Sequence, residues 1–197
     1  MSSQKSRELI LDAALKLIQE QGDASVSMAQ IAAASGVSRQ AVYLHFADRA
    51  DLMLALVRYM DQKRDLETAL RKIREAPDAW AGIRAMVRLQ ARSNPDLWAV
   101  ARAMDAVRRS DPAAERRWQD RLQHRLEGCR RMIGRLQQEG KLRRGLDAAS
   151  AADLLWSITS LRMWEDLVLE RSWSARRYER HISALLARML GDGRATD

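Results

Sequence analysis

Two neighbouring side chains, Arg39 and Gln40, carry the most specific chemistry in this 197-residue chain. Arginine donates a pair of hydrogen bonds to O6 and N7 of guanine, and glutamine pairs with N6 and N7 of adenine. Each such pair is worth about 1–3 kcal/mol of discrimination between bases. Close by stand Ala41 and Leu44, either of which can touch a thymine methyl group or be buried. Tyr43, His45 and Arg49 are suited to phosphate, which positions a protein on a duplex without reading its sequence. For His45 the competing reading is a packed ring bonded to backbone. Ser27 and Ser38 can contact phosphate through hydroxyls or helix-end amides while also capping helices.

These groups need a scaffold, and Ser27 to Phe46, SMAQIAAASGVSRQAVYLHF, reads as two short helices on a tight turn. Ser27 caps the first, and Gln30, three residues on, reaches back to complete a capping box. Met28, Ile31 and Ala32 recur at helical spacing and form an apolar face. Gly36 sits where the chain must turn, a place for positive φ. Ser38 caps the second helix, whose Val42 and Phe46 lie four apart and pack back on the first. Arg39, Gln40 and Tyr43 are left facing outward. A short helix held steeply by a glycine turn fits a DNA major groove.

The run SMAQIAAASGVSRQAVYLHFADRADL resembles the DNA-binding head of the TetR (tetracycline-repressor) family of bacterial regulators. The resemblance rests on Ser27, the Ile31-Ala32 pair, Gly36-Val37-Ser38, the aromatic-x-His-Phe of Tyr43, His45 and Phe46, and the basic Arg49. It covers roughly residues 5 to 60; beyond them only the helical layout is similar. Leu44 replaces a second aromatic usual in the family, and Ala29 stands where a basic residue is often found. Membership implies an all-α chain of about nine helices: a three-helix head over 1–50, then a helical effector-binding and dimerisation domain over 51–190. It also implies a pseudo-palindromic operator bound by a homodimer and released by a small molecule. Activators share this head, and regulation by a protein partner instead of a small ligand is an alternative.

Composition agrees with the helical reading: only 3 prolines and 9 glycines, with 47% hydrophobic residues. The lone Cys129 allows no internal disulfide and points to a reducing compartment. The first residues, MSSQKSRELI, lack the apolar stretch of a signal peptide, and the longest strong apolar run is Leu52 to Val57. No membrane segment is expected, and the location expected is the bacterial cytoplasm, at the nucleoid. Net charge is +8, yet acids and bases within residues 1–50 cancel. The surplus lies between Arg108 and Arg144, where 12 Lys or Arg face 5 acids. A solvated helix face is the plain reading of that stretch, and contact with flanking phosphate or an acidic partner the sharper one.

Along the chain, helix one runs from about Gln4 to Gln21 on a stripe of Ile10, Ala13, Ala14, Leu17 and Ile18, ended by Gly22. Lys5 and Arg7 lie at its leading end, where a DNA backbone can pass or a terminus can fray. After the two motif helices, Asp48 caps a long fourth helix reaching about Arg74. Pro77, Asn94-Pro95 and Asp111-Pro112 mark the starts of three more, the last closed by Gly140. Asp147 caps an eighth through about Glu170, and Ser172 or Ser174 opens a ninth ending at Gly191. The tail, 191–197, is expected to be disordered.

All six tryptophans lie past residue 79. Trp80, Met86, Trp98, Met104, Trp118, Trp156 and Trp164 are candidate walls of an effector cavity, which the resemblance places among helices five to eight; core packing is the competing reading. Asp105 is a candidate contact for a cationic effector, with Glu165 a weaker one. The resemblance also implies that an effector shifts helix six against helix four and so respaces the heads. Apolar stripes on the last two helices, 147–170 and 174–190, suit a four-helix bundle between two copies or the chain's own core. No catalytic constellation appears: His45, His124 and His181 are scattered, His124 and Cys129 share a helix face poorly, and no phosphate loop or metal-ligand spacing is present. Neither an enzyme nor a cofactor is expected.

Overall fold

A computed structural model describes residues 3–21, 26–109 and 111–192. Gly22, expected to end the first helix, and residues 193–197 of the expected disordered tail lie outside them. The described chain is helical: α1 Ser3–Gln21, α2 Met28–Ser35, α3 Arg39–His45, α4 Arg49–Lys63, α5 Leu66–Arg74, α6 Ala79–Arg108, α7 Pro112–Gln138, α8 Ala148–Ile158, α9 Leu161–Trp164 and α10 Ala175–Leu190. A π-helical stretch, Glu165–Glu170, follows α9. Two compact units separate, one drawn from Met1–Leu66 and Asp96–Asp120, the other from Glu67–Pro95 and Arg121–Asp197.

The first unit forms around α1 to α4. Ile10, Leu11, Ala14 and Ile18 of α1, Ile31 of α2, Val42 of α3, Phe46 just after it, and Leu52, Met53 and Leu56 of α4 are buried together. Val100, Ala103 and Met104 from the later part of α6 join them, with Ala114 of α7. Their periodicity in the sequence is what makes each helix one-faced. Lys63 of α4 donates to Asp12 of α1 at 2.6 Å, and the Tyr59 hydroxyl donates to the same oxygen at 2.9 Å.

In the second unit, Trp80, Ile83 and Val87 of α6, Ile133 and Leu136 of α7, Leu155 of α8, and Tyr178, Ile182 and Leu186 of α10 are buried. Glu139 accepts the Ala79 N–H at 3.0 Å and the Arg135 Nε–H at 2.9 Å, so a side chain after α7 satisfies the open end of α6. The chain between α7 and α8 is pinned to the end of α10, where the Arg143 N–H donates to the Leu190 carbonyl at 2.8 Å.

Among the described residues ten α-helices stand where about nine were expected in the chain, and each difference has a local cause. The expected fourth helix breaks after Lys63 because Asp65 takes φ 47°, a left-handed position that Asp tolerates better than most residues. Pro95 does not start a helix; it lies inside α6. A proline removes one backbone bond, and burial of Ala91 before it and of Ala99 and Val100 after it outweighs that loss. Asp78, not Pro77, opens α6 by accepting the Ala81 N–H at 2.8 Å. The expected eighth helix stops at Thr159, and Ser160 caps a new turn through the Met163 N–H at 3.1 Å. The capping expectations at Asp111, Asp147 and Ser174 hold in the geometry.

Candidate nucleic-acid interface

Local chemistry builds the presenting element as anticipated. The Ser27 N–H donates to Gln30 Oε1 at 2.8 Å while the Gln30 N–H donates to Ser27 Oγ at 3.3 Å, a reciprocal capping box. Gly36 takes φ 69° after α2. Ser38 Oγ accepts the Ala41 N–H at 3.1 Å and starts α3. Val42 and Phe46 are buried against the first unit's core, which fixes the rotation of α3 about its axis.

That rotation leaves Arg39 and Gln40 exposed, with Tyr43 54% and Leu44 81% exposed beside them. Among the described large apolar side chains Leu44 is the most exposed. Ala41 and His45 are half-buried. Arg49 is half-buried too, and its Nε and Nη2 are shielded with no acceptor among the described residues. An unpartnered guanidinium nitrogen at the start of α4 is suited to an external anion. Arg7 stacks over the Phe46 ring at 5.2 Å, so it packs on the head.

The eight candidate effector residues divide between the units. Trp98, Met104, Asp105 and Trp118 belong to the first: Met104 is buried in its core, and Trp98 and Trp118 pack against that core. Asp105 accepts from Arg108 at 2.6 Å, and Arg108 also donates to Glu115 at 2.8 Å. The Asp105 charge is thus already matched within its own unit. Trp80, Met86, Trp156 and Trp164 belong to the second unit; Trp80 and Trp164 are buried, Met86 and Trp156 half-buried. The basic stretch 108–144 divides as well. Arg116, Arg117, Arg130 and Arg131 are exposed, whereas Arg108, Arg125 and Arg135 are engaged internally.

Residues 10–56 match the family model for bacterial regulatory proteins, tetR family. Over residues 10–56 the chain carries a head of the TetR-family type. Over 50 residues it is 50% identical to the HTH-type transcriptional regulator AcrR of Shigella flexneri, covering 25% of this chain and 23% of that protein. The chain thus aligns with less than a quarter of that relative's length. Two solved structures share the fold over nearly the whole chain. One is a transcriptional regulator from Saccharomonospora viridis in complex with choline (TM-score 0.80, 21% identity, 95% of this chain and 98% of that one). The other is FadR from Bacillus subtilis in complex with stearoyl-CoA (TM-score 0.72, 20% identity, 91% and 97%). Identity this low establishes the shared fold alone and leaves the ligand to the residues of each site.

Sequence reasoning missed one cluster in the second unit: Arg125, Trp156, Thr159 and Tyr178. Arg125 is one of 12 bases in a charge-rich stretch, and only tertiary burial distinguishes it from the others. Among the described residues, no helix is long and apolar enough to cross a membrane.

Proposed function

We propose that this TetR-family chain is a ligand-responsive transcriptional regulator, a repressor that binds a pseudo-palindromic operator as a homodimer. The observation that carries this reading is α3 itself. Its apolar face is locked into the head, while Arg39, Gln40, Tyr43 and Leu44 form an uncovered polar and apolar surface. Arg39 and Gln40 read base edges, Leu44 and Ala41 meet thymine methyls, and Tyr43, His45, Arg49, Ser27 and Ser38 hold phosphate. A chain acting on operator DNA works in the bacterial cytoplasm.

One seven-residue helix reads too few base pairs for specificity, and a second copy supplies the other half-site. The last two elements supply the interface. Leu155, Tyr178, Ile182 and Leu186 are spent on the chain's own core, whereas Leu154, Leu169 and Leu185 remain exposed. These uncovered leucines are the supporting feature for dimerisation through 147–170 and 174–190.

The effector is a small, largely apolar molecule held in the later domain, with Trp80, Met86, Trp156 and Trp164 as its aromatic and thioether surroundings. The AcrR likeness covers the head, and the choline and stearoyl-CoA complexes belong to proteins of the same fold, which supports a ligand-bearing body. Binding must favour one spacing of the two heads to release DNA. Selection of bound sites from random duplex DNA tests the whole reading. Inverted repeats are the expected yield; unrelated or single half-sites would refute the dimeric operator.

A further inference from the structure

Arg125 of α7 holds a charge that its surroundings do not neutralise. Both hydrogens of its Nη2 are taken, one by the Trp156 carbonyl at 2.5 Å and one by Thr159 Oγ1 at 2.9 Å. Its guanidinium carbon lies 5.0 Å from the centre of the Trp156 ring, stacked on the indole. A cation at the end of α8 is favourable for the helix dipole, and that structural role accounts for Nη2. It does not account for the Nε–H and Nη1 donors, which have no acceptor among the described residues. No carboxylate among those residues lies within ion-pair distance either.

Two groups that feel this charge are held neutral. Burial pushes the Cys129 thiol up, and it pushes the Tyr178 hydroxyl up to about 12. Neither becomes the missing anion at neutral pH. Burial also lowers the Arg125 pKa, the mark of a charge removed from water, though guanidinium remains protonated. Tyr178 is fully buried, and its O–H has no partner among the described residues. An unpaired buried donor and a partly desolvated, uncompensated cation are both expensive to keep. The Arg125 charge acts on the Tyr178 hydroxyl, so an acceptor group admitted beside both would relieve the two.

We propose that Arg125 and Tyr178, with the Trp156 ring as an apolar wall, anchor the carboxylate of a small amphipathic acid. One guanidinium matches one negative charge, which favours a monocarboxylate over a doubly charged phosphate. The proposal rests on the effector reading above and reverses the cationic preference that Asp105 suggested, because Asp105 is occupied by Arg108.

Calorimetric titration of the full chain with decanoate, decanol and decyltrimethylammonium, below their micelle concentrations, tests it. Decanoate should bind about tenfold or more tightly than the other two. Arg125→Gln should erase that preference, and Tyr178→Phe should reduce it several-fold with the melting temperature retained. Equal affinities in the unaltered chain, no decanoate binding at millimolar concentration, or a preference intact in Tyr178→Phe and Arg125→Gln would each overturn it. The unaltered chain carries the charge test even if Arg125→Gln unfolds. A parallel operator shift assay separates the two readings. Decanoate bound with preference but without DNA release upholds the anion site and refutes the effector role. Release by decanol as effective as by decanoate refutes the anion site alone.

Discussion

Lys63 and Asp12, 51 positions apart, meet at 2.6 Å and join α4 to α1 within the DNA-binding head. Tyr59 completes the group: its hydroxyl donates to Asp12, and Lys63 lies 4.9 Å from the centre of its ring. The start of α4 bears Arg49 and its far end bears this clasp, so one helix links Arg49 to α1. Arg64, just past α4, pairs with Asp96 of α6 at 3.1 Å. A displacement of α6 therefore has a charged handle on the end of α4.

The clasp makes head stability depend on pH in two directions. Burial alone would raise the Asp12 carboxyl, but hydrogen bonds from Lys63 and Tyr59 and the Lys63 charge hold it below its ordinary 3.8. Its contribution is present above pH 3.8 and lost as pH falls through the lowered folded value. The hydrogen bond to Asp12 raises Lys63 above 10.5, so that contribution is present below pH 10.5 and lost as pH climbs through the raised value. Both side chains are about half exposed, so Asp12→Ala should cost only about 0.5 kcal/mol at neutral pH. Thermal melts from acid to alkaline pH should show the difference between Asp12→Ala and the unaltered chain vanish at both extremes. A constant difference would dismiss the ionic account.

Gly36→Ala should destabilise the head by about 1 kcal/mol, through backbone strain alone. The position has φ 69°, yet a Cβ there meets no atom within 4 Å. Gly36→Asn, which tolerates the left-handed region, should lose less in the same melt. Equal losses in both variants would point to a contact instead of strain.

Tyr43→Ala and Arg39→Ala should weaken DNA binding differently. Loss of a phosphate contact lowers affinity for all sequences about equally and flattens the salt dependence. Loss of a base-reading pair relaxes preference at one position per half-site, by about 1–3 kcal/mol. Leu44→Ala should relax a thymine position. Affinities for a panel of single-base operator variants distinguish the three, and identical profiles would refute the division of roles.

Leu154→Glu combined with Leu185→Glu should yield a monomer by sedimentation with the helical content retained, because both side chains are exposed within one copy. Operator affinity should fall by orders of magnitude, since each half-site then binds alone. A dimer that survives both charges would place the interface elsewhere.

The head was legible in the sequence because its determinants are local. Ser27 with Gln30, Gly36, Ser38 and Asp48 each act within three or four residues, and the spacing of Ile31, Val42 and Phe46 fixes which faces turn inward. The same locality misled at Pro95, where a helix-start signal was overruled by packing on both sides of it.

What the sequence by itself determined, then, was the helical class, the helix-turn-helix and the residues that α3 presents. The tertiary structure alone decided what surrounds Arg125. Asp105 and Arg125 look alike as charges in helical stretches, yet Asp105 finds Arg108 one helical turn away, while Arg125 meets carbonyl, hydroxyl and indole groups from α8 and its end. Capping and periodicity are written over one turn of helix. The desolvation of Arg125 depends on groups brought from 31 and 34 positions away, and no spacing along the chain encodes it.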